Sequence, residues 1–308
     1  MALHRLSHIE IGMPAAVIDA ARGFYRDLGL TETSARRFAT SDGGEQLAVI
    51  EAARRGLASL RVGVDDADDL GRAAASLAKL GAECAREGAT LRTRDPVTGI
   101  RVTLAIEPRL TQQTNAQLPT NGPARPARRN DRSPAVYLKD APRPRRLSHA
   151  VTTSSDPTAT RRFFLEGLGF QVSDEIPAFG ACFMRCSTDH HNLLIQQGPF
   201  ATLHHVAWEM DDVDAVGRAA AQMLAADPSR HVWGLGRHAI GSNYFWYLRD
   251  PAGNFHEYSS DLDVIDEAEA WRVATTTQAP AALAIWGPPV PRQFLVPDDI
   301  AAMAQGAA

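Results

Sequence analysis

The sequence predicts an α+β protein built from two similar halves, because segments of the first half recur in the second. HRLSHIEIG, which begins at His4, is answered by RRLSHAVTT, which begins at Arg145. LASLRVGVDDADDLGRAAASLAKLG, from Leu57, is answered in the same way by LHHVAWEMDDVDAVGRAAAQMLAA, from Leu203. In each unit a short apolar or alternating run precedes a stretch with helical period, and further strand-like runs follow. The chain therefore contains four strand–helix–strands units, two in each half.

The helices of the second and fourth units are the clearest elements. In the second unit, Asp65 and Asp66 place negative charge where a helix start exposes its N–H groups. Leucines and alanines then recur at helical spacing until Gly81, which ends the helix. The matching helix of the fourth unit is predicted to begin at Asp211 and to stop by Pro228.

A hairpin is predicted near the end of the fourth unit. The strand-like run YFWYLR is followed by the turn residues DPAG at 250–253 and then by NFHEYSS. The sequence DPVTG at 95–99 occupies the matching place in the first half. The two arms of the hairpin carry Tyr247 and Glu257, whose side chains are expected to face one cavity.

Changes in composition divide the chain into four parts. We predict an N-terminal domain over residues 1–110, a Pro- and Arg-rich linker over 111–145, a C-terminal domain over 146–265 and a tail over 266–308. The tail carries Trp271, Trp286 and Phe294, with prolines that stiffen an extended path. We hypothesise that the tail packs over the C-terminal domain near its opening as a lid. Packing against the outer face or a neighbouring subunit is the alternative.

Length and charge bound the function. A chain of 308 residues is long enough to form two hydrophobic cores. Its formal net charge of −4 does not indicate a surface that binds nucleic acid. The arginines of the linker are interrupted by prolines and lack aromatic residues for base stacking. No run approaches the about 18 apolar residues of a membrane span, and the start has no signal-peptide core. We therefore expect a cytoplasmic protein with a small soluble partner.

The three cysteines do not resemble a disulfide framework. Cys84, Cys182 and Cys186 are odd in number and cannot all pair. Because Cys182 and Cys186 lie in an apolar run, we expect them to be inert core thiols.

Two histidines and one carboxylate in the second half have the residue types of a mononuclear metal site. His149 lies in RRLSHAVTT, the adjacent pair His204-His205 opens an apolar strand, and Glu257 lies at the end of another. A lone histidine on an apolar strand is more often structural than a ligand. The set of three therefore needs a further test.

The repeat provides that test, because a position filled differently in two copies of one scaffold separates function from packing. The first-half counterparts of His149, His205 and Glu257 are, in order, His8, Ser59 and Thr103. Only the second half keeps a complete set of ligand-type residues. The metal is therefore expected in the second half, and His8 is interpreted as structural.

The surroundings of these residues favour catalysis over a structural metal site. Eight of the ten histidines lie in the second half, and the further polar residues near the proposed ligands are His190, His191, Arg237, His238 and Tyr247. Paired-cysteine spacing, an HExxH helix and a nucleophile elbow are all absent from the sequence. Two histidines and one carboxylate leave open coordination positions, an arrangement typical of non-haem Fe(II) enzymes.

Three motifs carry a resemblance to a known family. LSHAVTT, LHHVAWEMDDVD and FWYLRDPAGNFHEYSS resemble the vicinal oxygen chelate superfamily, and specifically its two-domain type I extradiol catechol dioxygenases. The resemblance covers the chain from His4 to about Leu262. It implies that each domain closes a pair of βαβββ modules into an incomplete barrel. It also implies a metal-free N-terminal domain and a C-terminal domain that binds Fe(II), with Mn(II) as the alternative, through His149, His205 and Glu257.

The same resemblance implies the partners and the catalytic residues. A catechol and O2 would bind side by side to Fe(II), with His191 handling the proton while His238 and Tyr247 hydrogen-bond the substrate oxygens. The choice of His191 rather than His190 depends on a register of one residue and stays open. Members of the family commonly assemble, so a homo-oligomer is expected.

Two alternative functions stay open within the superfamily. One is another metal-dependent enzyme, such as a glyoxalase-like lyase or isomerase, and the other is a non-enzymatic small-molecule-binding protein. Single-module glyoxalases usually use a further glutamate ligand at the end of the first module, where this chain has Gln196 and Gln197. The identity of the catechol is also open. Aromatic residues predict an apolar ring-binding cavity, namely Phe179, Phe183, Trp208 and Trp233.

Overall fold

Two open β-sheets and a small number of helices make up the chain. The structure is a computed structural model that describes residues 3–116, 118–275 and 283–304. The elements of the first half are β1 Leu3–Met13, α1 Ile18–Asp27, β2 Thr31–Ser34, β3 Arg37–Thr40, β4 Gly44–Glu51, β5 Gly56–Val64, α2 Ala67–Lys79, β6 Cys84–Glu87, β7 Thr90–Arg94 and β8 Arg101–Ile106.

The second half repeats this order of elements. The strands and α-helices of its described residues are β9 Arg146–Ser154, α3 Pro157–Arg162, β10 Gln171–Ile176, β11 Ala181–Arg185, β12 Leu193–Gln197, β13 Leu203–Glu209, α4 Val213–Ala226, β14 His231–Arg237, β15 Tyr244–Arg249, β16 Phe255–Ser260, β17 Ala274–Thr275, α5 Arg292–Leu295 and α6 Ile300–Ala304. A π-helical turn, Phe163–Leu168, continues α3. Four short 3-10 turns are Ala15–Val17, Pro134–Tyr137, Pro177–Phe179 and Pro228–Arg230.

The sheet topology confirms the predicted α+β fold of four βαβββ modules. The strand orders are β2-β3-β4-β1-β5-β8-β7-β6 and β14-β15-β16-β13-β9-β12-β11-β10-β17. In each sheet the first strands of the two modules pair antiparallel at the centre, and each pairs in parallel with the last strand of its own module. Within the described residues neither sheet closes on itself, so each forms an incomplete barrel.

Side-chain caps determine where the long helices begin. Asp66 accepts hydrogen bonds of 2.9 Å from the backbone N–H groups of Asp68 and Asp69, and Asp212 accepts one of 2.7 Å from Ala215. Such caps stabilise a helix by about 1 kcal/mol. Both helices therefore start after these aspartates, and α4 begins at Val213, two residues later than predicted.

One hydrophobic core extends across both halves. Polar contacts cross the same boundary, since Tyr25 donates a 3.0 Å hydrogen bond to Asp250 and Tyr258 donates one of 2.9 Å to the carbonyl of Leu28. The domain boundaries near residues 110 and 146 remain predictions. Among the described residues, no helix is long and apolar enough to span a lipid bilayer.

The cysteines have the environments that the sequence indicated. All three are free thiols, and Cys182 and Cys186 are buried while Cys84 is exposed. Burial raises the pKa of the Cys182 thiol to about 11, so the reactive thiolate is scarce at neutral pH.

Candidate metal centre

Three neighbouring strands bring the proposed ligands together. His149 lies on β9, His205 on β13 and Glu257 on β16, and β13 is the middle strand of the three. Ala207 of β13 is the register partner of both His149 and Glu257. His205 lies two residues before Ala207, so its side chain points to the same face of the sheet. Residues that are far apart in sequence therefore converge on one point.

The ligand atoms lie at distances suited to one metal ion. His149 Nε2 is 3.2 Å from Glu257 Oε2 and 3.3 Å from His205 Nε2, and His205 Nε2 is 3.5 Å from Glu257 Oε2. All three residues are buried. Ligand bonds of roughly 2.1 Å at right angles would place donor atoms about 3 Å apart.

Glu257 Oε2 provides a further test of the fit. Within the described part of the chain, this buried oxygen accepts no hydrogen bond. A buried acceptor without a partner is costly, and a carboxylate oxygen more so, unless a cation supplies the missing interaction. The three residues therefore fit a metal ion bound on one face, with its remaining positions open to the cavity.

Burial keeps the imidazoles of His205 and His191 neutral. It lowers the pKa of His205 and of His191 well below the usual histidine range, and neighbouring histidines lower both further. A metal binds the neutral imidazole, because protonation removes the lone pair. The site is therefore electrostatically prepared for ligation at neutral pH.

Asn243 is a supporting residue that the sequence reading missed. Its side-chain amide donates a hydrogen bond of 2.8 Å to Glu257 Oε1 and one of 2.9 Å to Ser259 Oγ. These bonds orient Glu257 so that its other oxygen faces the histidines. The sequence contained a signal for this role. Asn243 lies two residues before Phe245 and four before Tyr247, so the three side chains are expected on the same face of the hairpin.

A cavity of about 480 Å³ adjoins the ligands. Its lining residues are His149, Val151, Ile176, Ala178, Phe179, Ala181, Phe183, His191, Leu194, Gln196, Gln197, His204, His205, His238, Ile240, Asn243, Tyr247, Glu257, Leu283, Phe294, Leu295 and Val296. All proposed ligands and catalytic residues are thus in one place. Their roles remain to be tested.

Two aromatic residues predicted to line the cavity are not among those that do. Trp208 is one residue out of phase with Ala207, so it points to the opposite face of β13 and is buried in the core. Trp233 packs behind Tyr247 with its ring parallel and the centroids 5.8 Å apart. Phe179 and Phe183 do line the cavity, as predicted.

The structure distinguishes His190 from His191. The His191 ring lies 4.1 Å from that of His149 and borders the cavity. His190 lies behind it, with Nε2 3.1 Å from Asp174 Oδ2 and Nδ1 3.0 Å from His191 Nδ1. When a neutral His190 donates through Nε2 to Asp174, its Nδ1 accepts from His191 Nδ1. This arrangement leaves His191 Nε2 as the unprotonated nitrogen.

His238 and Tyr247 form a hydrogen-bonded pair beside Glu257. His238 Nε2 is 2.9 Å from the Tyr247 hydroxyl, and Tyr247 is the register partner of Glu257 across the hairpin. Burial lowers the pKa of His238, and burial together with Glu257 raises the pKa of Tyr247 well above its usual value. Both groups are therefore neutral near pH 7, and the tyrosine keeps its proton to donate.

The register also identifies the place of a fourth ligand. Glu257 is the register partner of the residue two positions after His205. At the corresponding position of β9, Val151 lies two residues after His149, and its register partner is Leu194 on β12. An apolar side chain thus occupies this position, and Gln196 and Gln197 lie further along the strand. The site offers three protein ligands.

The first-half counterpart of the site lacks the ligands. Ser59 donates a 2.8 Å hydrogen bond to Glu10, and the ring of His8 lies 3.2 Å from the carbonyl of Glu45. Arg61 is the register partner of both His8 and Thr103, in the place that Ala207 occupies in the second half. Among the described residues, the second-half triad is the one cluster with metal-ligand spacing.

The C-terminal segment packs against the second half beside this cavity. Phe294 is buried against Tyr247 and His204, with ring centroids 4.6 and 4.8 Å away. Trp271 donates a 2.9 Å hydrogen bond to the carbonyl of Ser173, whereas Trp286 is 47% exposed. The predicted position near the opening is therefore seen for Phe294. The function as a lid remains a prediction.

Comparison with known proteins finds a family match in the second half of the chain. A sequence profile described as the Glyoxalase/Bleomycin resistance protein/Dioxygenase superfamily matches residues 146–258. The second half of the chain therefore resembles that superfamily. The vicinal oxygen chelate resemblance of the sequence motifs is thereby confirmed.

Proteins with named activities resemble the chain. It is 39% identical over 155 residues to metapyrocatechase 2 of Cupriavidus necator, a match that covers 49% of this chain and 47% of that protein. The chain spans about half the length of the curated relatives it matches. Among solved structures, the Mn(II)-bound glyoxalase from Novosphingobium aromaticivorans is 25% identical, with a TM-score of 0.74 over 95% of this chain and 94% of that one.

The likeness in fold to solved structures extends over both halves of the chain. Homoprotocatechuate 2,3-dioxygenase from Arthrobacter globiformis superposes with a TM-score of 0.73 over 96% of this chain and 91% of that one, at 20% identity. A likeness at this identity reports the shared fold. The two-sheet architecture is thus that of a known dioxygenase structure.

Proposed function

We propose that the protein is an extradiol dioxygenase, which cleaves a catechol-type ring next to its diol with O2 at a mononuclear Fe(II) site. The observation that carries the proposal is the three-ligand face of His149, His205 and Glu257 beside an apolar cavity. When bound there, Fe(II) would supply open positions for the two diol oxygens and O2. The Mn(II)-bound structural neighbour supports Mn(II) as the alternative metal.

We infer the roles of three cavity side chains from their protonation and contacts. His191, oriented by His190, presents an unprotonated nitrogen that accepts a proton from the substrate diol. Tyr247 keeps its proton and donates it to His238 Nε2, because His238 Nδ1 donates to the carbonyl of Leu283; when the diol binds, the hydroxyl would turn this proton to a substrate oxygen. The proposed roles of His191 and Tyr247 are those that the family resemblance implied, whereas His238 is proposed to act through Tyr247.

The cavity suits a catechol whose other substituents are apolar and uncharged. Its walls include an apolar cluster of Val151, Ile176, Phe183, Leu194 and Ile240. Among the described residues that line it, none is an arginine or a lysine. A carboxylate on the substrate would therefore lose its water shell without gaining a cationic partner. Alkyl- or aryl-substituted catechols are the proposed class.

Oxygen uptake tests the proposed function. Protein loaded with Fe(II) under anaerobic conditions is expected to consume one O2 per catechol in an oxygen electrode, with a ring-opened product that absorbs visible light. Metal-free protein serves as the control.

The competing function is a glyoxalase, which the Mn(II)-bound neighbour favours. Leu194 argues against it, because the place of the fourth ligand is apolar. The hemithioacetal of methylglyoxal and glutathione is the matching substrate. Isomerisation of this substrate without O2 uptake on catechol would contradict the dioxygenase proposal.

Paired substrates test the proposed substrate class. We expect kcat/KM for 4-propylcatechol to exceed that for 3,4-dihydroxyphenylacetate by at least about 30-fold, which corresponds to about 2 kcal/mol for an unpaired buried carboxylate. Gln196→Arg places a cation in the cavity wall and should narrow the ratio. Gln222→Arg, on the exposed face of α4, adds the same charge elsewhere and should leave the ratio unchanged. Equal kcat/KM for the two substrates in the unmodified protein would contradict the proposed preference for catechols with apolar, uncharged substituents.

A homo-oligomer in the cytoplasm is the proposed working state. Within the described residues, β2, β6 and β14 end their sheets, and such edges can pair with a second copy. Light scattering of the purified protein tests the assembly.

A further inference from the structure

A chain of hydrogen bonds links the C-terminal segment to a proposed metal ligand. His205 Nδ1 lies 2.8 Å from His204 Nδ1, and His204 Nε2 lies 2.7 Å from the carbonyl oxygen of Phe294. A carbonyl oxygen only accepts, so His204 Nε2 must carry its proton. His204 Nδ1 then accepts from His205 Nδ1. The lone pair of His205 is consequently on Nε2, the atom that faces His149 and Glu257.

Packing holds the Phe294 carbonyl in position. The Phe294 ring lies 4.8 Å from the His204 ring and 5.8 Å from that of Phe255, and its side chain is buried. The backbone also closes a short turn here, because the N–H of Val296 donates a 2.9 Å hydrogen bond to the carbonyl of Arg292. The acceptor at the end of the chain of hydrogen bonds is thus part of an ordered element.

An arginine from the metal-free half fastens the same segment. Arg55 is only 3% exposed, and its Nε and Nη2 donate to the two carboxylate oxygens of Asp299 at 2.6 and 2.9 Å. Its Nη1 donates to the carbonyl of Leu203, the residue immediately before His204. A bidentate pair of this kind is geometrically specific. Arg55 therefore contacts both the C-terminal segment and the strand that carries the ligand.

We propose that the C-terminal segment is part of the metal centre. His204 is a positioning residue that links the Phe294 carbonyl to His205, and the Arg55–Asp299 ion pair keeps the segment in place. Loss of such outer contacts typically costs about 10–100-fold in metal affinity. The metal-free half thereby contributes to a site in the other half. This proposal depends on the proposed metal site, but it does not depend on ring cleavage.

Metal titration of His204 variants tests the proposal. His204→Phe keeps an aromatic ring of similar size but removes both hydrogen bonds, so the dissociation constant for Mn(II) should rise about 10–100-fold. His204→Gln, whose amide can both donate and accept, should recover part of the loss. Free Mn(II) is counted by electron paramagnetic resonance, and circular dichroism confirms the fold. Binding within twofold of the unmodified protein in His204→Phe would overturn the role of His204.

The role of the Arg55–Asp299 ion pair can be tested against a matched control in the chain. Arg55→Met and Asp299→Asn should each weaken Mn(II) binding, whereas Arg54→Met should not. Arg54 is the adjacent, exposed arginine, and its guanidinium lies over the Phe200 ring at 4.9 Å. Because the ion pair acts through His204, the double variant Arg55→Met/His204→Phe should bind Mn(II) about as weakly as His204→Phe alone. Fully additive losses would show that Arg55 acts by another route.

If the protein binds Mn(II) but takes up no O2 with any catechol, the proposed function fails and these titrations remain valid. If His204→Phe and Arg55→Met bind Mn(II) normally while O2 uptake is retained, the link to the C-terminal segment fails and the function stands.

Discussion

His149→Ala, His205→Ala and Glu257→Ala are each expected to abolish metal retention and turnover while leaving the fold intact. Each substitution removes one of three ligands, and the apolar side chain of Leu194 occupies the position where a fourth ligand could lie. The fold should persist because the core is stabilised by apolar burial across both halves and not by the metal. Metal content per chain, measured by elemental analysis after desalting, reports the loss.

The repeat supplies the control for this experiment. His8 occupies in the first half the register position that His149 occupies in the second. His8→Ala is therefore the same chemical change at the equivalent place, and it should leave metal content and turnover unchanged. One metal per chain and full activity in any of the three ligand variants would remove that residue from the site. Loss of metal in His8→Ala would mean that the first half also binds it.

His191→Asn is expected to retain the metal and bind catechol, yet to slow ring cleavage by roughly 10²–10⁴-fold. The side chain borders the cavity but is not among the three clustered ligands, so its removal takes away acid–base help and not coordination. Anaerobic titration with catechol measures binding, and single-turnover oxygen uptake measures the cleavage step.

His190→Asn separates the two adjacent histidines. His190 contacts His191 and Asp174 but does not border the cavity, so its loss should only disturb the orientation of His191. We expect a smaller decrease in cleavage rate than for His191→Asn. Equal decreases would indicate that the two residues act as one unit, and loss of metal in His191→Asn would identify a ligand instead of a proton acceptor.

The order of modules and the ligand set follow from the sequence alone. The duplication is visible because each module combines a short apolar run with a stretch of helical period. Both patterns can be recognised within a short stretch of sequence. The comparison of His149, His205 and Glu257 with His8, Ser59 and Thr103 works because two copies of one scaffold share their packing. The copy that keeps the complete set of ligand-type residues is then expected to be the functional one. Local pattern and internal repetition thus determined the architecture and the proposed metal ligands.

Contacts between distant parts of the chain were decided only in the tertiary structure. The direction of Trp208 and the position of Leu194 both depend on strand register, which shifts side chains from one face to the other. His190 and His191 lie in the loop between β11 and β12, and only their contacts show that the His191 ring borders the cavity. The link from His204 to Phe294 spans 90 residues, and that from Arg55 to Asp299 spans 244. No local pattern encodes such pairs, because their geometry arises only when both halves and the C-terminal segment pack around one cavity.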